Sequence, residues 1–381
     1  GNFPLAIKLL SPLYVDHDFS TGRALINLYI ATKQPHKALT VITELSQKNS
    51  FDQDLLLSKS RVQVLLGQKT LAKKTLKTIF GLVYDEPDKL VIVAHAQLDL
   101  LDDKAAKKTI DRLKSLEQIP VPAYLQARLY FAQKRYAKTM QFIAQALTAN
   151  PNTSHWLTLK AHVLIEQEHF ADAVNIAEQL YQQAQSRQNM QLLAQLYGQQ
   201  QQVIQLNELL ASWLKVTPHD EWAVAQLSAL AVSQGDYQQA INVLENYPNL
   251  SNQAMFLNNL ANYYFILVND IDDTVKATEL LTAAMDYAEQ AYKLAPHSAA
   301  INDTLGWLYI NTKQIAKGVS LLREAVARDA TNGEIHYHLA YALASFDNKN
   351  QAMDALNKAI VLAPEHPLRQ RVNQKVKQQS Q

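Results

Sequence analysis

Apolar residues recur at three- and four-residue intervals along this chain, in blocks about a dozen residues long separated by polar breaks. In LTLKAHVLIEQ, Leu157, Ala161, Leu164 and Ile165 fall on one helical face. In FADAVNIAEQL, Phe170, Ala173, Val174, Ala177 and Leu180 do the same. Pro151, Pro218, Pro296 and Pro364 each follow such a block, where proline stops a helix. QGDY at 234–237 predicts a tight helix–helix turn. No stretch predicts a strand, so the pattern reads as paired helices throughout.

The pairs repeat. Leu305 and Leu339 are 34 residues apart, as are Leu322 and Leu356, Ala325 and Ala359, and Ala330 and Pro364. A small residue early in each second helix marks the phase: Ala6, Ala38, Ala72, Ala106, Thr139, Ala173, Leu206, Ala240, Ala284, Gly318 and Ala352. The gaps are 32 to 34 residues, except for 44 before Ala284. Twelve positions earlier, in the first helix, stand Ile26, Ser60, Ala94, Ala127, Ala161, Ala194, Ser228, Gly306 and Ala340. Most are small, because a large residue there keeps two helices from close approach. The ten extra residues fall between Ala261 and Ala284. They predict a lengthened helix pair or an inserted turn around NDIDD, read either as a tolerated loop insertion or as a protrusion that touches a partner.

These features resemble the tetratricopeptide repeat (TPR), a 34-residue pair of antiparallel helices. Leu305-Gly306, Tyr309, Gly318, Leu322 and Ala325 match its signature in order, and Leu339-Ala340, Ala352, Leu356, Ala359 and Pro364 match the next unit. Leu206 and Ala330 depart from it, where the family favours Ala and Pro. The resemblance spans about residues 1–365 and implies an all-α, right-handed α-solenoid of about ten helix-turn-helix units. Residues 1–250 would hold TPR units, the first a half repeat. Residues 251–297 would hold the unit with the insertion, 298–365 two well-matched units, and 366–381 a polar capping tail in which Leu368 and Val372 pack. One such pair cannot bury its apolar face alone; stacking buries it and leaves a concave surface lined by first helices.

In that geometry, positions one turn before and one residue after the first-helix marker face the groove. They carry Arg23, Asn27, Arg61, His95, Tyr124, Arg128, His162, Gln191, Gln195, Asn258, Asn262, Asp303, Trp307, Tyr337 and Tyr341. Arg and aromatic residues are enriched where interfaces bind. The family's carboxylate clamp for chaperone tails is not expected: after Arg23 and Asn27 the next units offer Ser58, then Asp88 and Ile92.

Composition narrows the chemistry. The chain has 381 residues, 48% of them hydrophobic, with 36 basic against 35 acidic residues and a formal net charge of +1. No basic excess points to nucleic acid, and no apolar run approaches the roughly 20 residues of a membrane-spanning helix. Cysteine is absent, which excludes disulfides, thiolate metal sites and a cysteine nucleophile. There is no phosphate-cradling glycine loop, HExxH, GxSxG or zinc spacing. His336 and His338 point to different helix faces and cannot share a metal. Asp270, Asp272 and Asp273 read as a solvated acid cluster, and Glu166 and Glu168 as exposed turn residues without a catalytic role. A non-catalytic scaffold for protein or peptide partners is therefore expected, with no cofactor, metal or nucleic acid.

The C-terminal third carries NQAMFLNNLANYYFI and then AEQAYKLAPHSAAINDTLGWLYINTKQIAKGVSLLREAV. Asn258 to Ala261, Ala295-Pro296 and Asp303 to Trp307 resemble the TPR lipoproteins of bacterial exosortase (PEP-CTERM) systems. That resemblance implies an exported, envelope-anchored protein linked to exopolysaccharide production and surface protein sorting. GNFPLAIKLL reads as the middle of a helix, so a fragment that has lost upstream sequence, including a lipid-bearing cysteine, is expected. The alternatives are a cytoplasmic adaptor or regulator, and the recruiting region of an enzyme whose catalytic domain lies elsewhere.

Overall fold

The computed structural model describes residues 3–15, 17–116, 121–268, 271–346 and 348–378. Among the described residues there are helices and turns and no strand. The chain divides into two compact units, Gly1–Leu196 and Tyr197–Gln381.

The first unit opens with α1 (Phe3–Leu10). Five hairpins follow: α2 (Phe19–Ala31) with α3 (Pro35–Lys48), α4 (Gln53–Leu65) with α5 (Lys69–Leu82), α6 (Pro87–Asp99) with α7 (Asp103–Leu116), α8 (Ala123–Ala132) with α9 (Tyr136–Ala149), and α10 (Ser154–Glu166) with α11 (Phe170–Gln183). Helix α12 (Arg187–Gln199) carries the chain across the division. The second unit holds α13 (Val203–Val216), then α14 (Glu221–Ser233) with α15 (Tyr237–Glu245), α16 (Ala254–Val268) with α17 (Thr274–Leu294), α18 (Ala299–Asn311) with α19 (Ile315–Arg328), and α20 (Gly333–Ser345) with α21 (Lys349–Leu362). It ends in α22 (Leu368–Gln378).

Each hairpin closes where the small residues meet. Ala94 and Ala106, Ala161 and Ala173, and Ala340 and Ala352 are all 0% exposed. Polar rungs span the same twelve-residue interval: Thr109 donates to Gln97 at 2.7 Å and Thr75 to Gln63 at 2.8 Å. Leu206 is the departure, and it stays half-buried. Neighbouring hairpins share one core. Leu76 and Ile79 of α5, Leu90 and Leu98 of α6, Ile110 and Leu113 of α7 and Leu125 of α8 form a single cluster. Removing any one hairpin exposes its neighbours' apolar sides, so stability is a sum of units and interfaces. Successive first helices also pack on each other, α6 on α8 and α8 on α10 in the first unit, α16 on α18 and α18 on α20 in the second.

The ten extra residues lengthen a helix pair. Helix α17 runs 21 residues against 14 in α19 and α21. Its first two turns are largely solvent-facing, and the Asp273 carboxylate caps it by accepting from the Val275 amide at 2.8 Å. Asp270 lies outside the described residues. At the C-terminus, Val372 and Val376 of α22 are fully buried against α20 and α21, with Leu368 partly buried beside them.

Within a hairpin the turn follows one rule. The second residue after the first helix takes positive φ: Lys33, Gly67, Leu101, Lys134, Glu168, Gln201, Gly235 and Lys313, between 54° and 77°. The next amide then returns to a carbonyl five residues back, as from Gln68 to Gln63 and from Asp102 to Gln97 at 2.8 and 2.9 Å. This satisfies the last carbonyls of the helix. The left-handed conformation costs a non-glycine residue roughly 1–2 kcal/mol. Leu101→Gly is therefore expected to stabilise the first unit by about 1 kcal/mol, and Gly67→Ala to destabilise it by about 1 kcal/mol. Urea titrations of the two variants check both signs.

Candidate protein-segment cleft

Sequence register places Tyr124, Arg128 and His162 on consecutive first helices, and the fold brings them to one cleft of about 510 Å³ in the first unit. Helix α6 contributes Asp99, α8 contributes Tyr124, Arg128 and Phe131, and α10 contributes Thr158, His162 and Glu166. The close packing of α6 on α8 and α8 on α10 turns three separate positions into one surface.

Tyr124 is the aromatic centre. Its ring meets His155 edge-on at 4.6 Å and Trp156 edge-on at 5.1 Å, and lies 6.2 Å from His95. Phe131 and His162 face each other at 6.5 Å. Burial raises the Tyr124 pKa, so the hydroxyl stays protonated and able to donate. Arg128 donates to Asp99 Oδ1 at 2.6 Å and approaches His95 Nδ1 at 3.1 Å. A guanidinium has only donors, so His95 Nδ1 accepts and the ring is neutral with its proton on Nε2. Tyr136 closes one end of the cleft by donating to Glu166 at 3.1 Å. Glu166 thus ends α10 and lines the cleft rather than standing on a turn. The lining combines apolar rings, one fixed cation and flanking carboxylates, a mixture suited to an extended polypeptide with both side-chain and amide contacts.

Burial, reinforced by Arg128, lowers the His95 pKa below its ordinary 6.5. A histidine whose folded pKa is depressed contributes stability that is present above the unfolded value and lost as pH falls. The first unit is therefore expected to weaken as pH drops below about 6.5. His95→Gln removes this part of the pH dependence, as thermal melts at stepped pH will read.

The other register positions divide. Arg23 bonds Asp52 at 2.8 Å and Asp54 at 3.1 Å. Asp52 also caps α4, accepting from the Leu55 amide at 2.8 Å, so Arg23 ties α2 to the start of the next hairpin. Asn27 and Arg61 are exposed and line no part of the cleft; Gln191 is half-buried and Gln195 exposed on α12, whose cleft residue is Gln188.

In the second unit, four register positions belong to the core. Tyr337 is 0% exposed, donates to the Ala363 carbonyl at 2.9 Å and stacks on His366 at 4.9 Å. Trp307 is 9% exposed and stacks on His338 at 4.2 Å. Asp303 is buried and accepts from His338 Nδ1 at 2.9 Å. Asn258 is buried too, while Asn262 is half-buried and donates to Thr304 at 3.3 Å. Tyr341 keeps partial exposure, but Arg371 and Lys375 of α22 cover its ring at 5.1 and 5.7 Å. Trp307, Tyr337 and Tyr341, expected from register to face the groove, are thus corrected to core and cap packing. Register alone missed His338, Trp156 and His155. Their signal was spacing by about one repeat from Asp303 and Tyr124.

Residues 333–366, which form α20, α21 and the turn after them, match the family model for the tetratricopeptide repeat. Residues 102–179, which include α8 and α10 of the cleft, match the model for anaphase-promoting complex, cyclosome, subunit 3. No curated protein is matched. Among solved structures, the chain is similar to a thermophilic TPR protein from Thermus thermophilus, with 21% identity over 50% of this chain and 100% of that one and a TM-score of 0.41. It is similar to MamA from Desulfovibrio magneticus, with 20% identity, 47% and 95% coverage and a TM-score of 0.38. It is also similar to YrrB, a TPR protein with an unusual peptide-binding site, with 14% identity, 61% and 97% coverage and a TM-score of 0.32. Hairpins at a 34-residue period, small residues closing each one and a unit at 333–366 that matches the repeat model give this chain a tetratricopeptide-repeat architecture, which supports a protein–protein interaction scaffold.

Proposed function

We propose that the chain holds extended segments of partner proteins against the first helices of its N-terminal unit. The observation that carries this reading is the convergence of Tyr124, Arg128 and His162 from two consecutive hairpins on one cleft. An aromatic centre with a fixed arginine beside it is the composition of a binding hot spot. No step of covalent chemistry is assigned to the cleft, and the reading is of a non-catalytic scaffold. The resemblance of Asn258 to Ala261 and Asp303 to Trp307 to exosortase-associated lipoproteins supports the finer reading: attachment to the bacterial envelope through a lipidated segment upstream, and service in exopolysaccharide assembly or export or in surface protein sorting.

Affinity capture with the intact chain tests the binding, and fractionation of the source cells tests the place. Arg128→Ala and His162→Ala are expected to release captured partners, with each lost contact costing about tenfold in affinity. Unchanged capture by both variants would move the site elsewhere. Recovery of the native protein wholly in the cytoplasmic fraction would replace the envelope reading with the adaptor one.

A further inference from the structure

The second helices of the N-terminal unit carry a concentration of positive charge that the fold engages only in part. Helix α5 holds Lys69, Lys73, Lys74 and Lys77 and no acidic residue; α7 holds five basic residues against two acidic ones. The two helices thus carry +7, in a chain whose formal net charge is +1. Part of that charge is engaged. Lys107 pairs with Asp111 at 3.0 Å, Arg112 pairs with Asp85, and Lys108 lies 5.4 Å from the Phe80 ring. Lys74 and Lys77 are exposed and have no ion pair among the described residues. Lys73 and Lys77 stand one helical turn apart, as do Lys74 and Lys77, and such like-charge neighbours destabilise a helix. Their arrangement works against the helix that carries them.

A cavity of about 330 Å³ opens at this place. The exposed Lys74, Lys77 and Lys108 and the half-buried Lys73 form its rim; the half-buried Phe80 and Ala105 and the buried Gln97 and Thr109 line it further in. Its one acid, Asp102, caps α7 by accepting from the Ala105 amide at 3.3 Å. A gap of similar kind, about 450 Å³, lies between α13 and α15, with a single lysine, Lys215. Such gaps are what second helices leave between them when first helices pack together. The ring of four lysines is what distinguishes this one.

We propose that the α5–α7 cavity docks an acidic segment of a partner protein, with carboxylates on the lysine rim and one apolar side chain against Phe80. Charge complementarity requires an anion, and the half-buried Phe80 ring beside the lysines offers an apolar side chain a place to pack. A membrane surface fits less well: peripheral binding inserts apolar side chains that project from a basic face, whereas Phe80 is half-buried in the lining of a concavity. The site is separate from the cleft and does not depend on it.

The test is fluorescence anisotropy of the full chain with a short synthetic peptide whose aspartates and glutamates flank a central phenylalanine. Binding is expected, and it weakens as salt rises. The double variant Lys74→Glu, Lys77→Glu weakens it by about tenfold or more, because both charges are reversed at the rim. Both positions are exposed, so circular dichroism stays unchanged and the melting temperature does not fall, since the variant relieves the lysine repulsion along α5. Replacing the peptide's phenylalanine by alanine also weakens binding, while Arg128→Ala leaves it intact. Failure of the peptide to bind, equal binding by the double variant, or indifference to the phenylalanine overturns the proposal. Loss of binding in Arg128→Ala would assign the peptide to the cleft and overturn it too. So would lysine-dependent binding of phosphatidylglycerol-containing vesicles in place of the peptide, or full displacement of the peptide by inorganic phosphate.

Discussion

Tyr337→Ala is expected to destabilise the C-terminal unit by about 4 kcal/mol. The ring is wholly buried, stacks on His366 and donates to the Ala363 carbonyl at 2.9 Å. It also packs in the cluster that joins α20 and α21 to Val372 and Val376 of α22. Truncation removes the transfer free energy of a large aromatic, leaves a cavity, and orphans the carbonyl beside the cap. Tyr337→Phe separates these effects, because it removes only the hydrogen bond, at about 1 kcal/mol. Hydrogen exchange is the suitable readout, since long repeat arrays do not unfold in one step. Protection of α20 to α22 should fall strongly in the alanine variant and slightly in the phenylalanine one. A loss below about 1 kcal/mol for alanine would place Tyr337 on an open face.

Gly318→Leu is expected to cost about 3 kcal/mol in the same unit. Here α18 and α19 touch backbone to backbone. A Cβ at position 318 would lie 2.7 Å from the Gly306 carbonyl oxygen and 2.5 Å from Ile310 Cδ1. The isoleucine can turn aside, but the carbonyl belongs to a packed helix and moves only with it. Gly318→Ala meets the same oxygen, offset by a gain in helix propensity of about 1 kcal/mol, so its cost is smaller. Gly81, in the last turn of α5, is the control: a Cβ there has no neighbour within 4 Å, and Gly81→Ala should be neutral or stabilising. Equal urea midpoints for wild type and Gly318→Leu would contradict the close approach.

The hairpins were legible because each one leaves the same mark. A small residue must stand where two helices cross, and Ala94 with Ala106 or Gly306 with Gly318 fixes the phase without any other information. Apart from QGDY at 234–237, the turns were not legible. Their left-handed residue is glycine at only two of eight places and is Lys, Leu, Glu or Gln elsewhere, so composition gave no sign of a conformation that the hairpin imposes. The cleft was half legible. Register placed Tyr124, Arg128 and His162 on one side of their helices, and they line one cleft, yet it treated Arg23 and Tyr337 as equivalents. What separates them lies one repeat away: Asp52 and Asp54 capture Arg23, while His366 and Ala363 enclose Tyr337. A sequence pattern reports which way a side chain points from its own helix. It does not report what the next helix brings to meet it.

Site-specific photo-crosslinking with the intact chain tests the central claim most directly. A benzophenone amino acid placed at His162, on the cleft, is compared with one at Gln145, exposed on second helix α9. The account predicts that partner protein is captured from position 162 and not from 145, and that Arg128→Ala abolishes the capture. Capture from 145 alone would place the partner on the opposite side of the hairpins and end the cleft reading.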